Sequence, residues 1–196
     1  MINIIPKVIL VQLFLFFGNC NSQTSINKYE IADTLKVGYT YWWPESGPFI
    51  GNCGEKYSLV FLGIITDINK EVKNKNYITQ EGSIQIENVL MSRKLEETEY
   101  SNQKIFTSDC FYKQDLKVGE KVIVFCYEYE GSYSIPGGKS ILKVSGNNDP
   151  IVKSIKRYIQ SEQNPLSIKN DIDLWKIYNL DSDLKRIIEC KEMMSK

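Results

Sequence analysis

The chain has 196 residues, 24 basic and 24 acidic side chains, five cysteines and no histidine. That length suits one domain of roughly 100–150 residues plus appendages, and 42% hydrophobic with 12% aromatic residues is a globular composition. Zero net charge argues against a nucleic-acid partner, and the missing imidazole excludes Ser-His-Asp and Cys-His catalysis and His-ligated metals.

The first segment reads as an address. Met1–Lys7 carries one lysine and no acid, and Val8–Phe17 is an apolar run of ten broken only by Gln12. The run is shorter than the roughly 20 residues a membrane span needs. With the small polar Gly18–Gln23 behind it, residues 1–22 have the layout of a secretory signal peptide. Two processing routes stay open. Cys20-Asn21-Ser22 permits cleavage before Gln23, or Cys20 is the lipid-modified cysteine of a bacterial lipoprotein, which would attach the chain to a membrane. The protein is thus expected outside the cytoplasm, secreted or in the periplasm and cell envelope.

Residues 23–52 form a lead-in. Tyr39, Tyr41, Trp42, Trp43 and Phe49 fall within eleven residues beside Pro44, Gly47 and Pro48, which is loop chemistry. Trp and Tyr dominate binding hot spots, so these five are the candidate binding residues. The alternative buries them as plugs over the core.

Strands follow. Tyr57–Ile68 is rich in β-branched and aromatic residues and should bend or bulge at Gly63. Asn69–Gly82 is a charged loop or frayed hairpin end. Ser83–Met91 alternates, with a phase slip at Glu87-Asn88. Ser92–Gln103 is a linker and Lys104–Ser108 a short strand. Glu120–Glu130 is the clearest strand, with Val122, Val124, Cys126 and Glu128 on one face and Ile123, Phe125, Tyr127 and Tyr129 on the other. A turn over Gly131–Gly138 leads to a last strand, Lys139–Val144. Five strands with no helices between them predict an antiparallel sheet or small barrel over residues 53–146.

Residues 147–196 change to helical periodicity. Asp149 is a good N-cap and Pro150 a good first helical residue, with Ile151, Ile155, Tyr158 and Ile159 at helical spacing. Further helical stretches begin near Asp171 and at Asp181 as cap. The fold class is therefore α+β.

Cys53, Cys110, Cys126 and Cys190 remain once Cys20 is set aside. Four cysteines in an oxidising compartment point to two disulfides with three connectivities open, the alternative being free buried thiols in a chain long enough to build a core without staples. No metal or cofactor is implied: there is no CxxC, no P-loop and no dinucleotide glycine pattern. Asp171/Asp173 and Asp181/Asp183 lack the glycine-punctuated loop of a calcium site and read as helix-terminal acids. Glu128 and Glu130, with Glu45 or Asp109, are the only candidate hydrolase pair, and read as a solvated strand end.

The order of these signals resembles the OB-fold domain of tissue inhibitors of metalloproteinases and the related netrin-like module. An early cysteine, Cys53, precedes Ser58-Leu59-Val60-Phe61-Leu62-Gly63-Ile64-Ile65; Ile84 to Lys94 matches the second strand; Cys110 precedes Leu116-Lys117-Val118-Gly119 and the strand Glu120–Phe125. The resemblance covers about Cys53–Val144 and implies a five-stranded OB-like antiparallel β-barrel with C-terminal helices. It implies a Cys53–Cys110 bridge, leaving Cys126 and Cys190 to pin the last helix, and the Ile151–Gln160 helix as a plug for the barrel end. Family inhibitors chelate the protease zinc with an N-terminal cysteine. Cys53 stands some thirty residues inside either candidate mature terminus, so that activity is not carried over. The expected function is a non-enzymatic binding or structural module of the envelope, contacting a protein or a cell-surface polymer. The alternatives are a small secreted hydrolase working through carboxylates and a metalloprotease-inhibitor-like protein.

Overall fold

A computed structural model of the chain describes residues 33–39 (Tyr39 through its backbone), 46–75 and 77–196. The signal peptide, Cys20, Tyr41, Trp42, Trp43 and Glu45 lie outside the described residues.

Among the described residues the fold is α+β, with a mixed sheet and three named helices. Strands β1 (Thr34–Lys36) and β2 (Gly38–Tyr39) precede β3 (Tyr57–Ile68), β4 (Val72–Lys73), β5 (Ile78–Thr79), β6 (Gly82–Ser92), β7 (Ile105–Ser108), β8 (Lys121–Tyr129), β9 (Ser132–Ile135) and β10 (Ile141–Lys143). Helices α1 (Pro150–Gln160), α2 (Ile172–Trp175) and α3 (Asp181–Met194) follow, with short 3-10 turns between them. The strand order is β1-β7-β6-β3-β8-β9-β2, with β10 added to β8; β4 and β5 pair apart from it.

The closed five-stranded barrel is not seen. Two parallel pairings make the sheet mixed: β1 lies along β7 and β2 along β9. These two short strands sit at opposite ends of the strand order, yet only Val37 separates them in the chain. The segment expected to be a turn after β8 also holds a strand, β9, because Ser132 to Ser134 pair back with Tyr127 to Tyr129.

The two long strands keep the irregularities expected of them. Register shifts occur in β3 between Leu62 and Gly63, and in β6 the pairing steps from Asn88 to Ile86, leaving Glu87 without a partner. A Cβ at Gly63 would fall 2.4 Å from the Gln85 carbonyl oxygen, so only glycine allows the strands to approach there.

Both faces of the sheet are buried. Ile123, Phe125 and Tyr127 of β8 join Val60 and Leu62 of β3 in a core shared with Ile151, Val152 and Ile155 of α1 and Leu184, Ile187 and Ile188 of α3. Val122, Val124 and Cys126 point the other way, into a second core with Leu59, Phe61, Ile65, Ile84, Phe106 and Cys110. Helix α1 therefore lies against one face of the sheet and packs there with Leu142 and Val144; the expected end plug is replaced by a face cover. Asp149 caps α1 as its sequence indicated: its Oδ1 accepts the Ile151 N–H at 2.9 Å and its Oδ2 accepts the Ser145 N–H at 2.8 Å. Asp181 is the first residue of α3 rather than its cap, a position equally favourable to negative charge.

The disulfide is Cys53–Cys190, while Cys110 and Cys126 are free and buried. The pairing implied by the resemblance is overturned, and the two cores explain why. Gly54, next to Cys53, faces Tyr158 and Ile187 on the helix side of the sheet, whereas Cys110 and Cys126 belong to the core on the opposite face. The sheet stands between the two sets.

Candidate functional site

The lead-in is consumed by packing where it is described. Phe49 is 1% exposed. Its ring meets Trp175 edge-on at 4.7 Å between centroids and Tyr158 at 6.1 Å. Arg186 of α3 donates to the Phe49 carbonyl at 2.8 Å and to the Gly51 carbonyl. The Tyr57 hydroxyl donates to the Pro48 carbonyl at 2.8 Å and the Tyr127 hydroxyl to the Gly47 carbonyl at 3.2 Å. Phe49 is thus a core residue, not a binding side chain. The side chain of Tyr39, with Tyr41, Trp42 and Trp43, lies outside the described residues.

Beyond that buried strap the surface opens into a groove. A cavity of about 400 Å³ is bordered by Glu55, Lys56, Arg93, Glu128 and Glu130. A second, of about 460 Å³, adjoins it beside Met91, Glu162 and Gln163. A third, of about 400 Å³, runs on past Cys53, Asn164 and Lys191. Lys56, an exposed residue, borders all three.

Local structure sets each wall. Arg93 follows β6, and its N–H donates to the Ser58 carbonyl at 2.8 Å, which continues the β3–β6 ladder one residue past the strand. Its guanidinium stands 3.6 Å from the Glu128 carboxylate, both side chains 46% exposed. Glu130 sits in the β8–β9 turn at φ 50°, followed by Gly131 at φ 72°. The opposite wall is the end of α1. Glu162 and Gln163 both adopt left-handed backbone, φ 58° and 62°, and the Gln163 N–H closes the helix on the Tyr158 carbonyl at 2.8 Å. This turn aims the Gln163 side chain at the sheet, where Oε1 accepts the Tyr57 N–H at 2.7 Å and Nε2 donates to Met91 Sδ at 3.6 Å. Burial pushes the Tyr57 and Tyr127 hydroxyls well above their ordinary range, so both stay protonated donors to the strap carbonyls.

The groove contains carboxylates and cations interleaved, on an open surface. Such a lining can hold a ligand carrying charges of both signs, or a chain of hydrogen-bonding groups. Of the sequence candidates, Glu128 and Glu130 do meet here, whereas Asp109 is placed by its bridge to the Gln80 region, near the β4–β5 hairpin. The acid pairs of the helices have structural partners. Asp171 accepts from Ser154 at 2.7 Å and pairs with Arg157; Asp173 pairs with Lys176; Asp183 stands 3.6 Å from Arg186. Among the described residues no group of three or more His, Cys, Asp or Glu is placed to hold a metal.

Lys56, Arg93 and Gln163 escaped sequence reasoning. Each lies in a charged or polar stretch beside a strand or helix end, with no periodicity to mark it. Only the left-handed turn at Glu162-Gln163 brings the helical and strand walls together, and neither residue type announces that backbone. No helix among the described residues is long and apolar enough to cross a membrane, and the disulfide fits an extracellular or periplasmic setting. No protein-family model matches the chain, and no curated protein matches it.

Proposed function

We propose that the chain is an exported, non-enzymatic binding or structural module of the cell envelope, whose groove around Lys56 and Arg93 contacts a protein segment or a surface polymer. The carrying observation is the groove lining: cations and glutamates border the same open surface, and one of its acids, Glu128, is half-exposed and paired with Arg93. Acid–base hydrolysis asks for two facing carboxylates with one desolvated; recognition of a polar chain asks for this mixture of donors and acceptors. On this reading the netrin-like resemblance concerns architecture alone. The pairing of β3 with both β6 and β8, and the run of residues 34–39 from β7 to β9, support an OB-like barrel in which that segment is the seam. An inhibitor of the zinc-chelating kind would need a free cysteine terminus, and Cys53 is bonded to Cys190.

The test is site-specific photo-crosslinking from position 162 in the producing cell, beside the K56E/R93E variant. The reading expects one discrete adduct that the charge reversal abolishes while the purified variant melts like the wild type. Adducts that survive the reversal unchanged would refute the groove as the contact.

A further inference from the structure

One hairpin stands apart from the main sheet. β4 and β5 pair only with each other, Val72 opposite Thr79 and Lys73 opposite Ile78. The Asn74 N–H donates to the Tyr77 carbonyl at 2.9 Å and closes the turn. Opposed residues of an antiparallel pair share a face, and successive residues alternate. Val72, Asn74, Tyr77 and Thr79 therefore lie on one face. Val72 is 56% and Tyr77 51% exposed, so this face presents an aliphatic and an aromatic side chain to solvent.

Charge is sorted along the hairpin. From Val72 to Thr79 it carries Lys73 and Lys75, both exposed, and no acid. Glu71, Glu81 and Asp109 stand at its base, where the Asn69 amide donates to Glu81 at 3.3 Å and the Gln80 amide to the Asn69 carbonyl at 2.9 Å. The tip thus carries lysines and apolar side chains together, with the acids at its base, Glu71 next to Val72.

That combination matches a membrane interface. An aromatic ring sits at headgroup depth, lysine stems lie along apolar surface, and their ammonium groups reach anionic phosphates. We propose that the tip of the β4–β5 hairpin is a peripheral membrane contact that places Val72 and Tyr77 among the headgroups of an anionic lipid surface, with Lys73 and Lys75 on its phosphates. An acidic protein would engage the lysines but leave the Val72–Tyr77 face without a role, so lipid is the better occupant. The contact is separate from the groove, which is bordered by other elements.

Co-sedimentation of the full chain with phosphatidylcholine vesicles, and with vesicles that also contain phosphatidylglycerol, tests this. Wild type and variants share the same N-terminal segment, so its contribution cancels in the comparison. Wild type should favour the anionic vesicles. K73Q/K75Q should weaken that partition about twenty-fivefold, since each lysine near an anionic surface contributes about fivefold, and added salt should erase this part. V72S/Y77S should weaken it about tenfold with little dependence on salt. Both pairs are exposed, so unchanged melting curves verify the fold. Equal partition into the two vesicle types, or variants that bind like wild type, would overturn the proposal. So would a loss with K73Q/K75Q alone, which would leave Val72 and Tyr77 outside the contact. K56E/R93E should leave the partition unchanged whatever becomes of the groove reading; a matching loss there would move the contact away from the hairpin.

Discussion

Removing the Cys53–Cys190 bond with the C53S/C190S variant should cost a large share of the stability. The bond closes a loop across 137 positions, and the chain-entropy relation for a loop of that length gives about 17 cal/mol/K, or about 5 kcal/mol at 25 °C. Domains of this kind have total stabilities of about 5–15 kcal/mol, so the variant should be marginal. Urea unfolding followed by near-ultraviolet circular dichroism measures the difference, against wild type kept oxidised. Thiol counting provides the companion measurement. Excluding Cys20, alkylation without reduction should modify no cysteine in the folded protein and two, Cys110 and Cys126, in denaturant; reduction should expose all four. The reasoning fails if peptide mapping joins Cys53 to Cys110, or if the double variant loses less than about 1 kcal/mol.

Three further outcomes follow from the packing. Phe49→Ala empties the space between Trp175 and Tyr158 and should destabilise by about 3–5 kcal/mol, read as a drop in Tm; a surface-sized effect below about 0.5 kcal/mol would mean that Phe49 is not a core residue. Asp149→Ala removes the acceptor for the Ile151 and Ser145 N–H groups and should cost about 1 kcal/mol in urea unfolding. Alkaline pH should destabilise the fold. Burial pushes the Cys110 thiol from near 9 up to about 12, so above pH 9 the unfolded chain releases a proton that the folded one keeps. Stability is fully present below pH 9 and falls by about 1.4 kcal/mol per pH unit from this group until about pH 12. Tyr57 and Tyr127, also raised by burial, act in the same direction above pH 10. Urea midpoints for wild type and Cys110→Ser across this range check it: the variant should have the shallower slope.

Local signals were legible in the sequence, and long-range ones were not. The limits of β3, its bulge at Gly63, the slip at Glu87 and the two faces of β8 all follow from residue alternation, which the sheet preserves because both of its faces are buried. Asp149-Pro150 announces α1 because a cap is a contact within a few residues. The disulfide was not legible: four cysteines are equivalent in sequence, and only the division of the chain into two cores separates Cys53 and Cys190 from Cys110 and Cys126. The groove was equally hidden. Its walls come from the ends of β6 and β8 and the turn after α1, and residues at element ends carry no period. Glu128 was visible as a solvated strand end, but its partner Arg93 lies 35 positions earlier.

The disulfide also sets how the molecule responds to tension. A pull applied on one side of Cys53 and resisted beyond Cys190 travels through the sulfur–sulfur bond and bypasses everything between. The short parallel strands β1 and β2 would peel from β7 and β9 first, and the strap around Phe49 would follow. Extension then stops at Cys53. The long strands β3, β6 and β8, with the helices upon them, lie between the two cysteines and would carry no load while the bond is closed.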